Sequence, residues 1–325
     1  MKAWLCETLQ GIGAMRMHEL PLPQPGPGQV RIAVRAASLN FPDLLIVEGK
    51  YQFKPPLPFV PGAEFSGVVE AVGEEVTGLR VGDRVAAMGS HGGFATHALV
   101  EASRALPVPP GFDLEDAAAF AFTYGTSFHA LMDRAALRPG ETVLVLGAAG
   151  GVGSAAVQIA KAAGARVIAA VSTAAKAQAC LSMGADAAID LSAQGLRESL
   201  KALTDGRGPD VVYDPVGGDL AEPAFRSIAW RGRYLVVGFA QGSIPALPLN
   251  LALLKGASIV GVFWGEFVRR EAAAFGADMQ RLAQWYAQGR VKPVIDARLP
   301  MSQLPEAYAR MASRQVIGKL LLVNP

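Results

Sequence analysis

Leu146-Gly-Ala-Ala-Gly-Gly-Val-Gly-Ser154 is a glycine-rich turn between an apolar run, 142–146, and a segment patterned as a helix, 152–163. Set against G-x-G-x-x-G it supplies Ala148, Gly150 and Gly153, so alanine stands at the first glycine position. Gly150 lets the backbone approach a pyrophosphate, and Gly153 lets a helix pack closely on its strand. The amides of Gly151 and Val152 then point at phosphates from the helix N-terminus. A glycine-rich string alone is weak evidence, and a tight strand–helix turn with no ligand is the plain alternative. Here the string follows a strand, opens a helix and is succeeded by another strand, which is the context a dinucleotide motif requires.

Towards the C-terminus the alternation continues. Strands are predicted over 166–171, 187–189, 211–213, 234–237 and 258–263, with helices over 173–183 and 196–204. Strands alternating with helices imply an α/β fold with a doubly wound parallel sheet. A helix over 266–288 and a closing strand over 318–323 complete the chain. The end of the second strand decides which dinucleotide fits. NAD sites usually place Asp or Glu there to grip the ribose hydroxyls, whereas this chain reads Ala170-Val171-Ser172-Thr173, with Lys176 one turn further on. No carboxylate repels a 2′-phosphate, while two hydroxyls and an ammonium can bind one, so NADPH is the expected cofactor. Ser172 or Thr173 capping the helix is compatible with that role.

Towards the N-terminus the pattern changes. Up to about residue 120 the chain is rich in Gly and Pro and in short β-type runs, such as 29–38, 64–72 and 84–87, punctuated by Gly26-Pro27-Gly28 and Val81-Gly82-Asp83. Such runs predict a small, partly open β-barrel. The 325 residues fit two domains. Thirty basic against 28 acidic residues, with no block of like charge, argue against a nucleic-acid partner. The most apolar stretch, 117–132, is interrupted by Thr123, Gly125, Thr126, Ser127 and His129, so no membrane span is expected. The first eleven residues carry Glu7 and read as a strand rather than a leader, so the expected location is cytoplasmic. Cys6 and Cys180 are isolated, and only His18, His91, His97 and His129 are available as histidine ligands. Neither a disulfide framework nor a C-x-x-C metal site is present.

The whole chain resembles the zinc-free medium-chain dehydrogenase/reductases, in particular the NADPH:quinone oxidoreductase (ζ-crystallin-like) group. The resemblance rests on Ala37-Ser-Leu-Asn-Phe-Pro-Asp43, Pro61-Gly-Ala-Glu-Phe-Ser-Gly-Val-Val69, Val81-Gly-Asp-Arg-Val85 and Ala148-Ala-Gly-Gly-Val-Gly153, followed by Val212-Tyr-Asp-Pro-Val-Gly-Gly218 and Gly318-Lys-Leu-Leu-Leu322. It implies a GroES-like catalytic domain built from residues 1–122 and 264–325, with a Rossmann NADPH-binding domain, 123–263, inserted between them. It also implies cofactor contacts at Thr126, Gly151, Val152, Ser172, Lys176, Gly238, Phe239, Phe263, Trp264 and Lys319. Two tyrosines that the family often carries are Leu45 and Leu191 here.

The zinc-dependent relatives place Cys, His and Cys at positions corresponding to Asn40, Ala63 and Phe122, none of which can replace them. No metal is therefore expected, and alcohol oxidation, which relies on a Lewis acid, is disfavoured against reduction of an already electrophilic quinone or enone. Among polar candidates, Asn40 is either a helix N-cap or a hydrogen-bond partner of the nicotinamide ribose or the acceptor's carbonyl. Tyr51 is either a proton donor or a packing residue. Asp43 and Glu64 are read as structural. The alternative activities are an enoyl thioester (acyl-CoA) reductase, with Arg269-Arg270 as a phosphate anchor, and a non-enzymatic NADPH-binding sensor or structural protein. Ser258-Ile-Val-Gly-Val-Phe263 is an apolar run that would end the parallel sheet as an exposed edge. The resemblance implies that it pairs across a two-fold axis in a homodimer.

Overall fold

The computed structural model describes residues 1–325, which divide into two compact units: Met1–Phe122 with Ile295–Pro325, and Thr123–Val294. The first begins with an antiparallel ribbon of β1 (Lys2–Leu5) and β2 (Arg16–Glu19). Its spine is β3 (Gln29–Ser38), where Val30, Ile32 and Val34 alternate into the core. Helix α1 (Phe41–Val47) follows, then β4 (Glu64–Val72), which pairs antiparallel with β3. The register of that pair shifts between Arg31 and Ile32 and again between Val34 and Ala36. Such bulges bend a strand and raise its twist, which a curled sheet needs. Next come β5 (Arg84–Met88), β6 (His97–Glu101) and β7 (Ala105–Pro107). β5 extends the sheet from β4, β7 adds to β5, and β6 returns to the first half of β3. Helix α2 (Leu114–Ala118) is capped by Asp113, whose carboxylate accepts from the amides of Glu115 and Asp116.

The chain passes into the second unit along α3 (Ala121–Phe128) and a π-helical turn, His129–Arg134. Then β8 (Thr142–Leu146), α4 (Gly151–Ala162), β9 (Arg166–Val171), α5 (Ala174–Ser182), β10 (Ala187–Asp190), α6 (Leu196–Leu203) and β11 (Val211–Asp214) alternate as the periodicity predicts. The series ends with α7 (Ala221–Ser227), β12 (Arg233–Val236), α8 (Asn250–Lys255) and β13 (Ser258–Gly261). The six strands are all parallel, in the order β10-β9-β8-β11-β12-β13. This is the doubly wound arrangement whose strand order reverses between its first and fourth strands, here β8 and β11. Every residue of β8 and β11 is buried, as strands covered by helices on both faces must be.

After β13 come α9 (Trp264–Arg270) and α10 (Ala272–Ala287), two helices meeting at Glu271 where one was expected over 266–288. Residues 264–294 were expected with the barrel and lie instead in the second unit. There His129 stacks on Phe267 with centroids 4.0 Å apart, and Phe128 meets Trp285 edge-on at 5.5 Å. The Tyr124 hydroxyl donates to the Lys292 carbonyl at 2.6 Å. These aromatic contacts are side-chain matches across long sequence separations, which periodicity does not register. The return to the first sheet begins with β14 (Ile295–Pro300). After α11 (Leu304–Ala312), β15 (Lys319–Val323) lies parallel to β14 and antiparallel to the second half of β3. Strands from before and after the second unit thus share one GroES-like sheet.

Candidate active site

The glycine-rich turn leaves β8 at the point where the strand order reverses, the place where open α/β sheets bind ligands. The left-handed residue is Gly147, φ +59°, one position before Ala148. A Cβ there would meet a Val216 methyl at 2.8 Å. Glycine therefore stands at the sharp turn just before the motif, and Ala148 at its first position is buried. Gly150 caps α4 with φ −78°, and the Ser154 amide bonds back to its carbonyl at 2.8 Å. A Cβ on Gly153 would lie 2.3 Å from the Gly147 carbonyl oxygen, so only glycine allows α4 to sit this close to β8. Gly151 and Val152 open the helix, and their amides have no intrahelical acceptor by construction. The turn thus presents amide donors at a helix N-terminus, an arrangement that suits an anion.

Around it, three connections were not apparent from sequence. The Ser127 hydroxyl donates to the Val152 carbonyl at 2.8 Å and meets the buried Tyr213 hydroxyl at 2.9 Å. Together they tie α3, which carries Thr126, to the first turn of α4. Asp214, at the end of β11, accepts from the amides of Val216 and Gly217 at 2.8 Å each and from the Tyr234 hydroxyl. It thereby shapes the loop beside Gly238, whose amide bonds to the Asp214 carbonyl. Phe239 stands over Gly217, where a Cβ would meet its ring at 2.8 Å. At the end of β9, Ser172 and Thr173 are exposed, and Thr173 caps α5 by accepting from the Lys176 amide at 3.3 Å. Phe263 is 69% exposed, whereas Trp264 is buried with its indole against Gly125 of α3. The two neighbours offered for the same cofactor role thus differ in what they present.

In the barrel unit, three element ends converge: β3 stops at Ser38, β4 starts at Glu64 and β15 starts at Lys319. Glu64 Oε2 accepts from the Ser38 hydroxyl at 2.5 Å and from Asn40 Nδ2 at 3.1 Å, and Oε1 accepts from the Phe122 amide at 2.8 Å. Lys319 Nζ donates to Asn40 Oδ1 at 2.5 Å and lies 3.5 Å from Glu64 Oε2. All four side chains are buried. The Asn40 side chain is engaged in this cluster and also stands at the N-cap of α1, in a capping box with Asp43. The α1 turn is closed from the other side, by Asp43 Oδ2 accepting the Asn40 amide at 2.8 Å. Burial pushes the Asp43 carboxyl up to about 7, against the opposing pull of that hydrogen bond and of Lys319. Burial likewise lowers the Lys319 ammonium, opposed by Glu64 and Asp43. Tyr51, packed at the edge of the barrel core, is raised by burial and by the Asp43 charge and so remains a phenol at neutral pH.

Zinc does not suit this residue set. The positions matching the ligands of zinc-dependent relatives hold an amide already bonded to an ammonium, a methyl group and a phenyl ring. No group of three or more His, Cys, Asp or Glu side chains is placed to hold a metal. A lysine ammonium in the cluster would also repel a cation.

Residues 26–110 match the alcohol dehydrogenase GroES-like domain, and residues 151–284 match the zinc-binding dehydrogenase family. Quinone oxidoreductase-like protein 2 of Rattus norvegicus is 38% identical, over 98% of this chain and 96% of that protein. The quinone oxidoreductase of Pseudomonas syringae superposes with a TM-score of 0.92 at 31% identity, covering 99% of each chain. That of Thermus thermophilus, whose complex with NADPH has been solved, superposes with a TM-score of 0.86 at 33% identity over the full length of both chains.

Proposed function

The chain belongs to the medium-chain dehydrogenase/reductase family, among its quinone oxidoreductase-like members, and on that premise we propose that it is an NADPH-dependent, metal-free reductase of quinones and α,β-unsaturated carbonyls. The observation that carries this reading is the barrel cluster. Where a catalytic metal would need open donors, the chain has an asparagine amide locked to a lysine. With no Lewis acid to lower an alcohol's pKa, the suitable partners are those already electrophilic.

Gly150, Gly151, Val152 and Gly153 hold the pyrophosphate by backbone approach and helix N-terminal amides. Ser172, Thr173 and Lys176 take the 2′-phosphate through hydroxyls and a charge-assisted bond. Thr126, Gly238, Phe239 and Phe263 flank the cofactor, and Trp264 acts from behind by packing on Gly125 next to Thr126. Asn40 and Lys319 are the polar partners of the nicotinamide ribose or the acceptor's oxygen. When bound, NADPH supplies a hydride from its nicotinamide C4. The chain's task is to orient the reactants and exclude water, with Tyr51 or solvent delivering the proton.

The same reading includes a homodimer through β13, supported by its edge position and by Ile259, which is 43% exposed. The enoyl thioester reading loses support, because Arg269 and Arg270 both pair with Glu266 at 2.5 Å. The test is NADPH consumption with 1,4-benzoquinone, an alkyl enone and an enoyl-CoA. Turnover of the first two is expected. A strong preference for the enoyl-CoA would favour the thioester reductase, and tight NADPH binding with no turnover of any acceptor would favour a sensor.

A further inference from the structure

Glu64 has no part in the cofactor or acceptor contacts above, yet its carboxylate gathers donors from four separate places in the chain. Ser38 closes β3, Asn40 precedes α1, Phe122 lies in α3 and Lys319 opens β15. The arrangement also fixes which way the Asn40 amide faces. Its NH2 group points at Glu64 and Ser38 and its oxygen at Lys319, and a flip would set NH2 against an ammonium. Without the carboxylate, neither the amide orientation nor a buried ammonium has a reason to persist.

We propose that Glu64 is a positioning residue that holds the Lys319 ammonium charged and fixed on Asn40, so that both present a set, positive, hydrogen-bonding end to the dinucleotide. Its action on the dinucleotide rests on the NADPH reading above, while its hold on Lys319 does not. The ionisable groups acting on Lys319 are Glu64, from β4, and Asp43, from α1. Tyr51 and Tyr308 face Asp43 rather than the ammonium. Asp43 takes on charge only near neutral pH, so it can replace Glu64 in part above that range, and the test must remove this substitute.

The experiment uses the full chain carrying lysine labelled with 13C at Cε, the Lys319 signal being identified by its loss in Lys319→Met. In the wild type the signal should leave its ammonium position at a higher pH than in the variants that lack the carboxylate. In Glu64→Gln, and more so in Glu64→Gln/Asp43→Asn, it should move to the amine position at least about one pH unit lower, a tenfold weaker hold on the proton. Identical titrations in all forms would overturn the proposal. NADPH affinity, read by nicotinamide fluorescence, should be flat in the wild type from about pH 7 to 8.5, above the second ionisation of the 2′-phosphate near about pH 6, and uniformly weak in Lys319→Met. In Glu64→Gln/Asp43→Asn it should fall by about tenfold across that range. A purely structural role would weaken binding by one factor at every pH, and that result would overturn it too. If Glu64→Gln does not fold, Glu64→Gln/Lys319→Met, which buries a neutral pair, should restore folding, and failure to do so would count against the proposal. A wild type that binds no NADPH would defeat the functional reading, while the 13C titration would still decide whether Glu64 governs Lys319.

Discussion

Asp43 is a buried carboxyl group whose charge is only partly compensated. It is 1% exposed, and its carboxyl is pushed from 3.8 to about 7 by burial. Since the folded value is above the unfolded one, the folded chain holds this proton more tightly. The stability it contributes is complete below about pH 4 and is lost as pH rises through about 7. Asp43→Asn should therefore gain on the wild type as pH rises from about 4 to 8, by at most about 4 kcal/mol at 1.36 kcal/mol per unit. Thermal unfolding of both proteins across that range checks this, and a difference that does not change with pH would contradict it. At the other end of the proposed cofactor, Lys176→Ala should weaken NADPH by about 10–150-fold, the equivalent of a charge-assisted bond of about 1.5–3 kcal/mol, while NADH is hardly affected. Equal weakening of both cofactors in a titration would remove Lys176 from the 2′-phosphate. The positions of Ser172, Thr173 and Lys176 could be read from sequence because a strand end and the helix after it are local features. The Glu64–Lys319 pair could not, since it joins two distant strands that only the completed sheet brings together.

At the scale of elements, two glycines of one turn should fail differently. Gly153→Ala drives a Cβ to 2.3 Å from the Gly147 carbonyl and should cost about 1–3 kcal/mol of stability by forcing α4 off β8. Gly150→Ala meets only that same oxygen at 3.4 Å, with an ordinary φ of −78°, and should stay within about 0.5 kcal/mol of the wild type. It should nonetheless weaken NADPH, because the methyl stands where the phosphate approaches. Denaturant unfolding together with NADPH titration separates the two, and a large loss of stability in Gly150→Ala would refute the distinction. The strand–helix alternation was read correctly because each buried strand is a short apolar run bounded by turn residues. The motif's spacing places Ala148, Gly150 and Gly153 but does not show that the left-handed conformation falls on Gly147, just before them. On edge strand β13, Val260→Lys should halve the mass seen by light scattering if a second copy pairs there. A wild type that is monomeric at micromolar concentration would dispose of the dimer.

Across the whole molecule, the sequence pattern carried the architecture: a Gly- and Pro-rich β region, a βα alternation, and a final strand returning to the first sheet. It did not carry the allegiance of residues 264–294, which is decided by rings such as Phe267 and Trp285 meeting His129 and Phe128. The functional account rests on the glycine-rich turn of one unit and on the lysine-centred cluster of the other. Its central claim is hydride transfer from NADPH to a conjugated acceptor without a metal. The most direct measurement incubates chelator-treated protein with NADPH dideuterated at C4 and an alkyl enone, with a simple ketone in parallel, and locates the deuterium by mass spectrometry and NMR. The account predicts deuterium on the β-carbon of the enone, a rate unchanged by the chelator, and no label in the ketone. Loss of transfer on chelation, or labelling of the ketone at a comparable rate, would contradict it.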